Sequence, residues 1–299
     1  MKRVLNLIGM MAMLCVLSPA GSSGSTLGES YILFGLNEYG YAYSEDDPPY
    51  PDETGTPKSD EYGLTSAFHA EGKFFSKTSV LYGGFLFEYG GGIQTYNGST
   101  DSIGGYDSIG NPINIISPLV NLKSSTFTRI GGFIGPYFKF GDCLLGLNAG
   151  VLYYRWYRGL GDSSLYSETY SWYYLPIGAE LSYNLNDRMS VGLDLQYRIM
   201  LNGTMQASYD AVNLAGYPTA VSQFSLGPMD GFYFGIPVRF QIDNHFGIEC
   251  KPWFEWRPSG SSSPVVVQSA DSSLQGGAQE PESSSYSIGI SISAMFGNF

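Results

Sequence analysis

What most constrains this chain is a set of unusually long segments in which apolar and polar residues alternate at period two. Between 231 and 242, Phe232, Phe234, Ile236, Val238, Phe240 and Ile242 fall on one side, with Tyr233, Gly235, Pro237, Arg239 and Gln241 on the other. Residues 189–201 repeat the pattern: Met189, Val191, Leu193, Leu195, Tyr197, Ile199 and Leu201 oppose Ser190, Gly192, Asp194, Gln196 and Arg198. From 246 to 257, Phe246, Ile248, Cys250, Phe254 and Trp256 oppose Glu249, Lys251, Glu255 and Arg257. Period two marks a strand whose two faces meet different surroundings. Strands of soluble domains usually run about 5–6 residues, whereas strands that cross a bilayer need about 9–11. All three segments have the longer dimension.

Ten segments of this kind can be placed, over approximately 29–43, 60–75, 77–91, 125–140, 142–158, 169–184, 187–202, 229–242, 244–257 and 284–299. Their connections alternate in length. Ser76-Lys77, Gly141-Asp142, Leu185-Asn186-Asp187 and Asp243-Asn244-His245 are short and made mostly of turn-forming residues. The stretches 44–59, 92–124, 159–168, 203–228 and 258–283 are long and rich in Ser, Gly, Pro and Asp. Short periplasmic turns alternating with long extracellular loops is the plan of an outer-membrane barrel, and an even strand count puts both termini on the periplasmic side. The expected fold is all-β, an antiparallel ten-stranded transmembrane up-and-down β-barrel over residues 21–299. No segment after the amino terminus reads as a membrane-crossing helix, and a closed barrel is the other way to satisfy every backbone polar group in lipid. The 24 Tyr, 18 Phe and 39 Gly suit pleated walls and tight turns.

Met1-Lys2-Arg3, an apolar run from Val4 to Leu17, and Ser18-Pro19-Ala20 read as a secretory signal peptide over residues 1–20. Its removal takes Lys2 and Arg3 from the 15 basic residues and leaves the 27 acidic ones, a balance that argues against nucleic acid as a partner. Cys143 and Cys250 begin distant strands and are expected to be free, apolar-like thiols. The chain ends Met295-Phe296-Gly297-Asn298-Phe299. A terminal Phe299 closing an amphipathic strand resembles the signal that barrel-assembly machinery reads, although Phe299 departs from the parity of Ile288, Ile290, Ile292 and Phe296. A bulge would restore it; otherwise Phe299 is an end anchor. In the first strand Tyr31, Leu33, Ile32, Phe34 and Leu36 leave the facing open.

If the apolar set meets outer-membrane lipid, the other set lines the lumen. It includes Lys73, Arg129, Lys139, Arg198, Arg239, Lys251 and Arg257, with Glu71, Glu88, Glu180, Asp194, Glu249 and Glu255. Enclosed charges need partners, since an unpaired one costs several kcal/mol. The near-balance therefore predicts a salt-bridged plug, with Arg198–Glu180 and Arg239 with Glu249 or Glu255 as candidate pairs. The alternative is a charge-lined small-solute channel. Ten strands enclose little more than the space eight leave for side chains, and inward Tyr137, Tyr233, Trp253 and Arg257 narrow it further.

Strand count, length and long loops resemble the omptin family of outer-membrane proteases, whose acidic residues and Asp-His pair at the outer rim activate a water. Here the likeness is architectural. The second long loop offers Asp101 and Asp107, and the fourth Asp210 and Asp230, without a neighbouring His. His69 is mid-strand and reads as part of the luminal plug; His245 is in a short turn. With no rim His, the general base is missing, and neither that chemistry nor a Ser–His triad can be assembled. No metal-ligand spacing or cofactor site is expected. Glu45, Asp46, Asp47, Asp52 and Glu53, interrupted by Pro48, Pro49 and Pro51, read as a solvated acidic loop rather than a calcium site. Residues 258–283 read as a flexible low-complexity loop. The expected function is a non-enzymatic surface barrel with a structural or interaction role through its loops, whose extracellular ligand the sequence does not identify. A channel ranks second and an omptin-like protease third.

Overall fold

The computed structural model describes residues 28–45, 59–106, 112–160, 167–208, 221–268 and 275–298. The signal-peptide reading, the acidic run 46–53, Asp107, Asp210 and Phe299 lie outside these residues.

The strands are β1 (Tyr31–Glu45), β2 (Asp60–Phe75), β3 (Leu81–Tyr106), β4 (Pro112–Phe140), β5 (Cys143–Leu160), β6 (Ser167–Asn186) and β7 (Met189–Ser208). They are followed by β8 (Val221–Ser225), β9 (Gly231–Gly235), β10 (Val238–Gln241), β11 (Phe246–Ser259), β12 (Val265–Gln268), β13 (Gln275–Ala278) and β14 (Ser283–Gly297). Consecutive strands β1 to β7 pair antiparallel. Both β9 and β10 pair with β7 and β11, and β14 pairs with β11 and β1, so the wall closes. Counted as staves there are ten, because β8, β9 and β10 succeed one another along β7, the last two also pairing with β11. The architecture is therefore the expected closed ten-stranded up-and-down barrel.

The paired residues can be followed round the wall from Ala42 through Tyr286, Trp256, Phe232, Tyr197, Ile177, Ala149, Ile134, Gly83 and Phe74, returning to β1 one residue short of Tyr31. That stagger, about a dozen residues, is the shear that tilts the strands. The ladder climbs toward the long loops in the direction β1 to β2 to β3.

Several expectations are corrected. The predicted strand 229–242 breaks at Ile236-Pro237 into β9 and β10. Pro237 has no N–H for a ladder, and its carbonyl instead accepts from Gly192 N at 2.7 Å. The predicted loop 92–124 is largely an extension of the β3–β4 hairpin, paired from Gly92–Ser125 to Tyr106–Pro112 with a bulge between Ile103 and Gly105. Its Gly, Ser and Asn residues carry no alternation to reveal it. The predicted low-complexity loop 258–283 contains the β12–β13 hairpin and segments pinned at the barrel mouth. The β2–β3 turn is longer than Ser76-Lys77 and is held by Ser76 Oγ, which accepts from Thr78 N and Ser79 N. At the β4–β5 turn Gly141 supplies the positive φ of 57°. Of the two cysteines expected free, Cys250 is free but Cys143 is disulfide-bonded; alternation reports facing, not proximity through space.

The predicted facing holds on most strands. In β1 the ambiguity resolves: Tyr31, Leu33, Asn37, Tyr39, Tyr41 and Tyr43 are buried inward, while Phe34 and Leu36 are exposed outward. β14 pairs without register shift as far as Gly297. Outside, Phe74, Phe138, Phe140, Phe240 and Phe296 ring the turn side, and Tyr62, Tyr89, Tyr173, Tyr197 and Tyr286 ring the loop side, all exposed. Ile, Leu and Val lie between, as in a lipid-facing belt with aromatic girdles.

Candidate functional site

Inward-pointing side chains fill the lumen in three tiers. Nearest the turns is the predicted ion-pair network. Lys73 Nζ donates to both Glu180 carboxylate oxygens at 2.8 and 2.7 Å and lies 3.2 Å from Glu71. Lys251 donates to Glu71 at 2.9 Å, and Arg239 Nε to Glu249 at 2.7 Å. Higher, Glu255 is held by three arginines: Arg129 at 2.6 Å, Arg198 at 2.9 Å and Arg257 at 2.9 Å. Asn37 donates to Glu88 at 2.6 Å and accepts from Trp253 Nε1 at 2.7 Å. Asp194 accepts from Gln196 at 3.4 Å. Bifurcated, charge-assisted contacts of this kind are the ones that can offset desolvation of enclosed charge.

Of the predicted luminal residues, all but one join this network. Lys139 shares the inward parity but lies at the exposed turn-side end of β4. Of the predicted pairs, Arg239–Glu249 forms; Arg198–Glu180 does not. Arg198 lies opposite Pro176, whereas Glu180 lies opposite Asp194, so the two sit at different depths and each finds a partner elsewhere round the barrel. Alternation sets facing, but depth needs the shear.

The second tier is aromatic. Tyr39, Tyr41, Phe127, Tyr154, Trp156 and Trp172 are all buried. Phe127 and Trp156 stack with centroids 5.9 Å apart at 4°, and the Arg257 guanidinium lies 3.7 Å over the Tyr154 ring. This layer joins the charge tiers through cation–π contacts as well as packing.

The third tier, at the loop-side mouth, is one the sequence reading missed. Arg158 donates from Nε to Glu61 at 2.7 Å and from Nη1 to Glu168 at 2.6 Å, with Glu45 at 3.8 Å. Its guanidinium stands 5.1 Å from the Tyr43 ring centroid and 5.2 Å from that of Trp156. Lys123 Nζ sits 3.3 Å over Tyr96. From the last loop, Glu280 accepts from Tyr170 OH at 2.6 Å, and its backbone N–H bonds Ser262 Oγ at 2.9 Å, seating residues 262 and 280 over the mouth. Burial, then the charges of Glu168 and Glu45, push the Glu280 carboxyl up to about 8. Glu61 and Arg158 could have been found from their inward parity; Glu168 and Glu280 fell in predicted loops, where no periodicity marks them.

Of the residues weighed for catalysis, those whose side chains are described do not converge. His69 is buried in the lumen, 3.7 Å from Glu71, and His245 lies in the turn between β10 and β11 at the opposite end from the mouth. Asp230 bonds Tyr197 OH and the Met200 N–H at the break before β9. Among the described residues no group of His, Cys, Asp and Glu could hold a metal ion.

No known protein family matches the chain, and no curated protein matches it in sequence. Among solved structures, the outer-membrane protease OmpT from Escherichia coli superposes with a TM-score of 0.66 at 8% identity, over 92% of this chain and 99% of its own. The translocator domain of the autotransporter NalP from Neisseria meningitidis gives 0.36 at 10% identity, over 97% and 95%. Ail, the attachment invasion locus protein of Yersinia pestis, gives 0.27 at 10% identity, over 89% and 99%. The last two scores carry no structural argument. The closed wall, its apolar belt and the OmpT superposition together make this chain a β-barrel of the bacterial outer-membrane type, in a ten-strand architecture similar to that of OmpT.

Proposed function

We propose that this is a non-enzymatic outer-membrane surface barrel with a plugged lumen, acting through its long loops in a structural or interaction role. In this reading the loops are extracellular, the termini are periplasmic, and the membrane contact is the apolar belt. The observation that carries it is the filled lumen: ion pairs, stacked aromatics and a capped mouth follow one another along the axis, each built from side chains buried by the others. The absence of an enzymatic role is supported by the histidine count: the chain has two, and neither is near the mouth. Recording purified protein in planar bilayers tests the plug. No steady current is expected. Stable single-channel currents with ion selectivity would overturn it in favour of the channel.

A channel keeps one observation in its favour. A cavity of about 60 Å³ lies beside His69, whose two ring nitrogens, like Glu88 Oε1 and Arg129 Nε, have no hydrogen-bond partner among the described residues. Trapped water satisfies such groups, and a continuous file of it would conduct.

A further inference from the structure

Charge is scarce on the outer face of the wall. Among outward-facing strand residues whose side chains are described, it falls at three positions: Glu38 on β1, Asp60 at the loop-side end of β2, and Arg155 on β5. Glu38 is flanked in register by Ser66 and Ile290. Leu64 and Ile288, the next outward residues toward the loops on these neighbouring strands, are 75% and 68% exposed, so Glu38 lies inside the apolar surface, not beyond it. Ser66 Oγ donates to it at 2.7 Å, and no cation pairs with it among the described residues. An ionisable side chain in such a belt is costly and calls for a partner. Directly loopward, Gly40 and Ala42 leave an external groove walled by Tyr62, Leu64, Tyr286 and Ile288.

Arg155 is the outward base. It stands exposed between Tyr153 and Tyr157, with Thr128 and Ser171 beside it in register and no carboxylate partner among the described residues. Register connects it through Thr128, Tyr89 and Phe68 to Leu36, two residues turnward of Glu38. Over those four steps the stagger lifts the ladder by about five residues. Arg155 thus sits about three residues loopward of Glu38, a gap within the combined reach of an arginine side chain lying turnward along the wall and a glutamate side chain lying loopward.

We propose that copies of this chain associate side by side in the membrane, the Glu38 face of one against the Arg155 face of the next. Because β1 and β5 are different faces of the barrel, the contact is heterologous. It pairs the acid embedded in the outer apolar surface, Glu38, with the outward base, Arg155, and the groove above Glu38 receives the tyrosines that flank Arg155. The inference concerns the outer wall and holds whether or not the lumen conducts.

The test is reconstitution of labelled full-length chain into phosphatidylcholine vesicles at graded protein-to-lipid ratios, with association read from photobleaching steps and folding of each variant checked by heat-dependent gel mobility. Wild type is expected to associate. Glu38→Arg and Arg155→Glu should each weaken association roughly tenfold or more, and the double reversal should restore it. If Glu38→Arg does not fold, Glu38→Gln and Arg155→Gln should show the same loss more mildly. A monomeric wild type, single variants that associate normally, or a double reversal that recovers nothing would each overturn the proposal. So would loss with Glu38→Gln but not Arg155→Gln, which would place Glu38 against its own like copy.

Discussion

In the lower lumen six bases, Lys73, Arg129, Arg198, Arg239, Lys251 and Arg257, meet six acids, Glu71, Glu88, Glu180, Asp194, Glu249 and Glu255. At the mouth Arg158 and Lys123 face four acids, Glu45, Glu61, Glu168 and Glu280. The same residue types therefore build two different devices. A balanced network within the lipid belt sets its bases against as many acids and holds most of them in direct ion pairs. The mouth carries an excess of carboxylate close to water, and its members can lower their mutual repulsion by holding a proton or by moving apart. The first arrangement is a brace, and the second responds to its surroundings.

The largest effect expected from breaking this contrast is at Glu255, which neutralises three arginines at once. Glu255→Ala leaves buried guanidinium groups uncompensated and should cost about 3–5 kcal/mol of barrel stability, read as a lowered urea midpoint of the detergent-solubilised protein. A loss of about 1 kcal/mol or less, the range of solvated pairs, would show that water reaches the lower network and that the two tiers differ less than their burial indicates.

At the mouth, Arg158→Ala removes charge-assisted bonds to Glu61 and Glu168 near the loop-side opening. The expected loss is smaller, about 1.5–3 kcal/mol, and should appear as faster amide exchange at 167–172 and at Ser262 and Ser263, with the turn-side half of the barrel unchanged. Equal loss of protection along the whole wall would make the mouth part of the same cooperative unit as the brace.

The smallest effect is the pH response of Glu280. Its folded-state value of about 8 stands above the ordinary value of 4.5. Between these values the seated segment keeps a proton that the released segment gives up, so the contact is fully stable below about 4.5 and weakens as pH rises toward 8, levelling off above. Amide protection of Gln279, Glu280 and Glu282 should fall over that window, by at most about tenfold per pH unit. Glu280→Gln should flatten the response. A wild-type profile that is flat, or that rises with pH, would contradict the assignment of the excess charge to this carboxyl.

Much of the wall was legible in the sequence because a strand between lipid and lumen must alternate. Phe232, Phe234 and Phe240 lie outward, and Arg239, Glu249, Lys251 and Glu255 inward, as the pattern requires. The extension of β3 and β4 past Gly92 and Ser125 was not legible, since beyond the belt neither face has to be apolar and only backbone pairing holds the hairpin. The Ile236-Pro237 break carried a local signal in the proline itself. In the site, the identities of the luminal charges were readable but their pairings were not, and Glu168 and Glu280 gave no sign at all.

By itself, then, the sequence determined the class of barrel, the facing of most strands and the near-balance of charge that a narrow lumen demands, because each of these follows from period two and from the cost of unpaired charge. What only the tertiary structure decided was depth. The stagger of the closed wall sets which residues from distant strands share a level, and so brings Arg198 to Glu255 instead of Glu180, gathers Arg158, Glu61 and Glu280 at the mouth, and leaves Arg155 only about three residues loopward of Glu38 on a different face outside. Shear is a property of the whole closed sheet, and no local pattern encodes it.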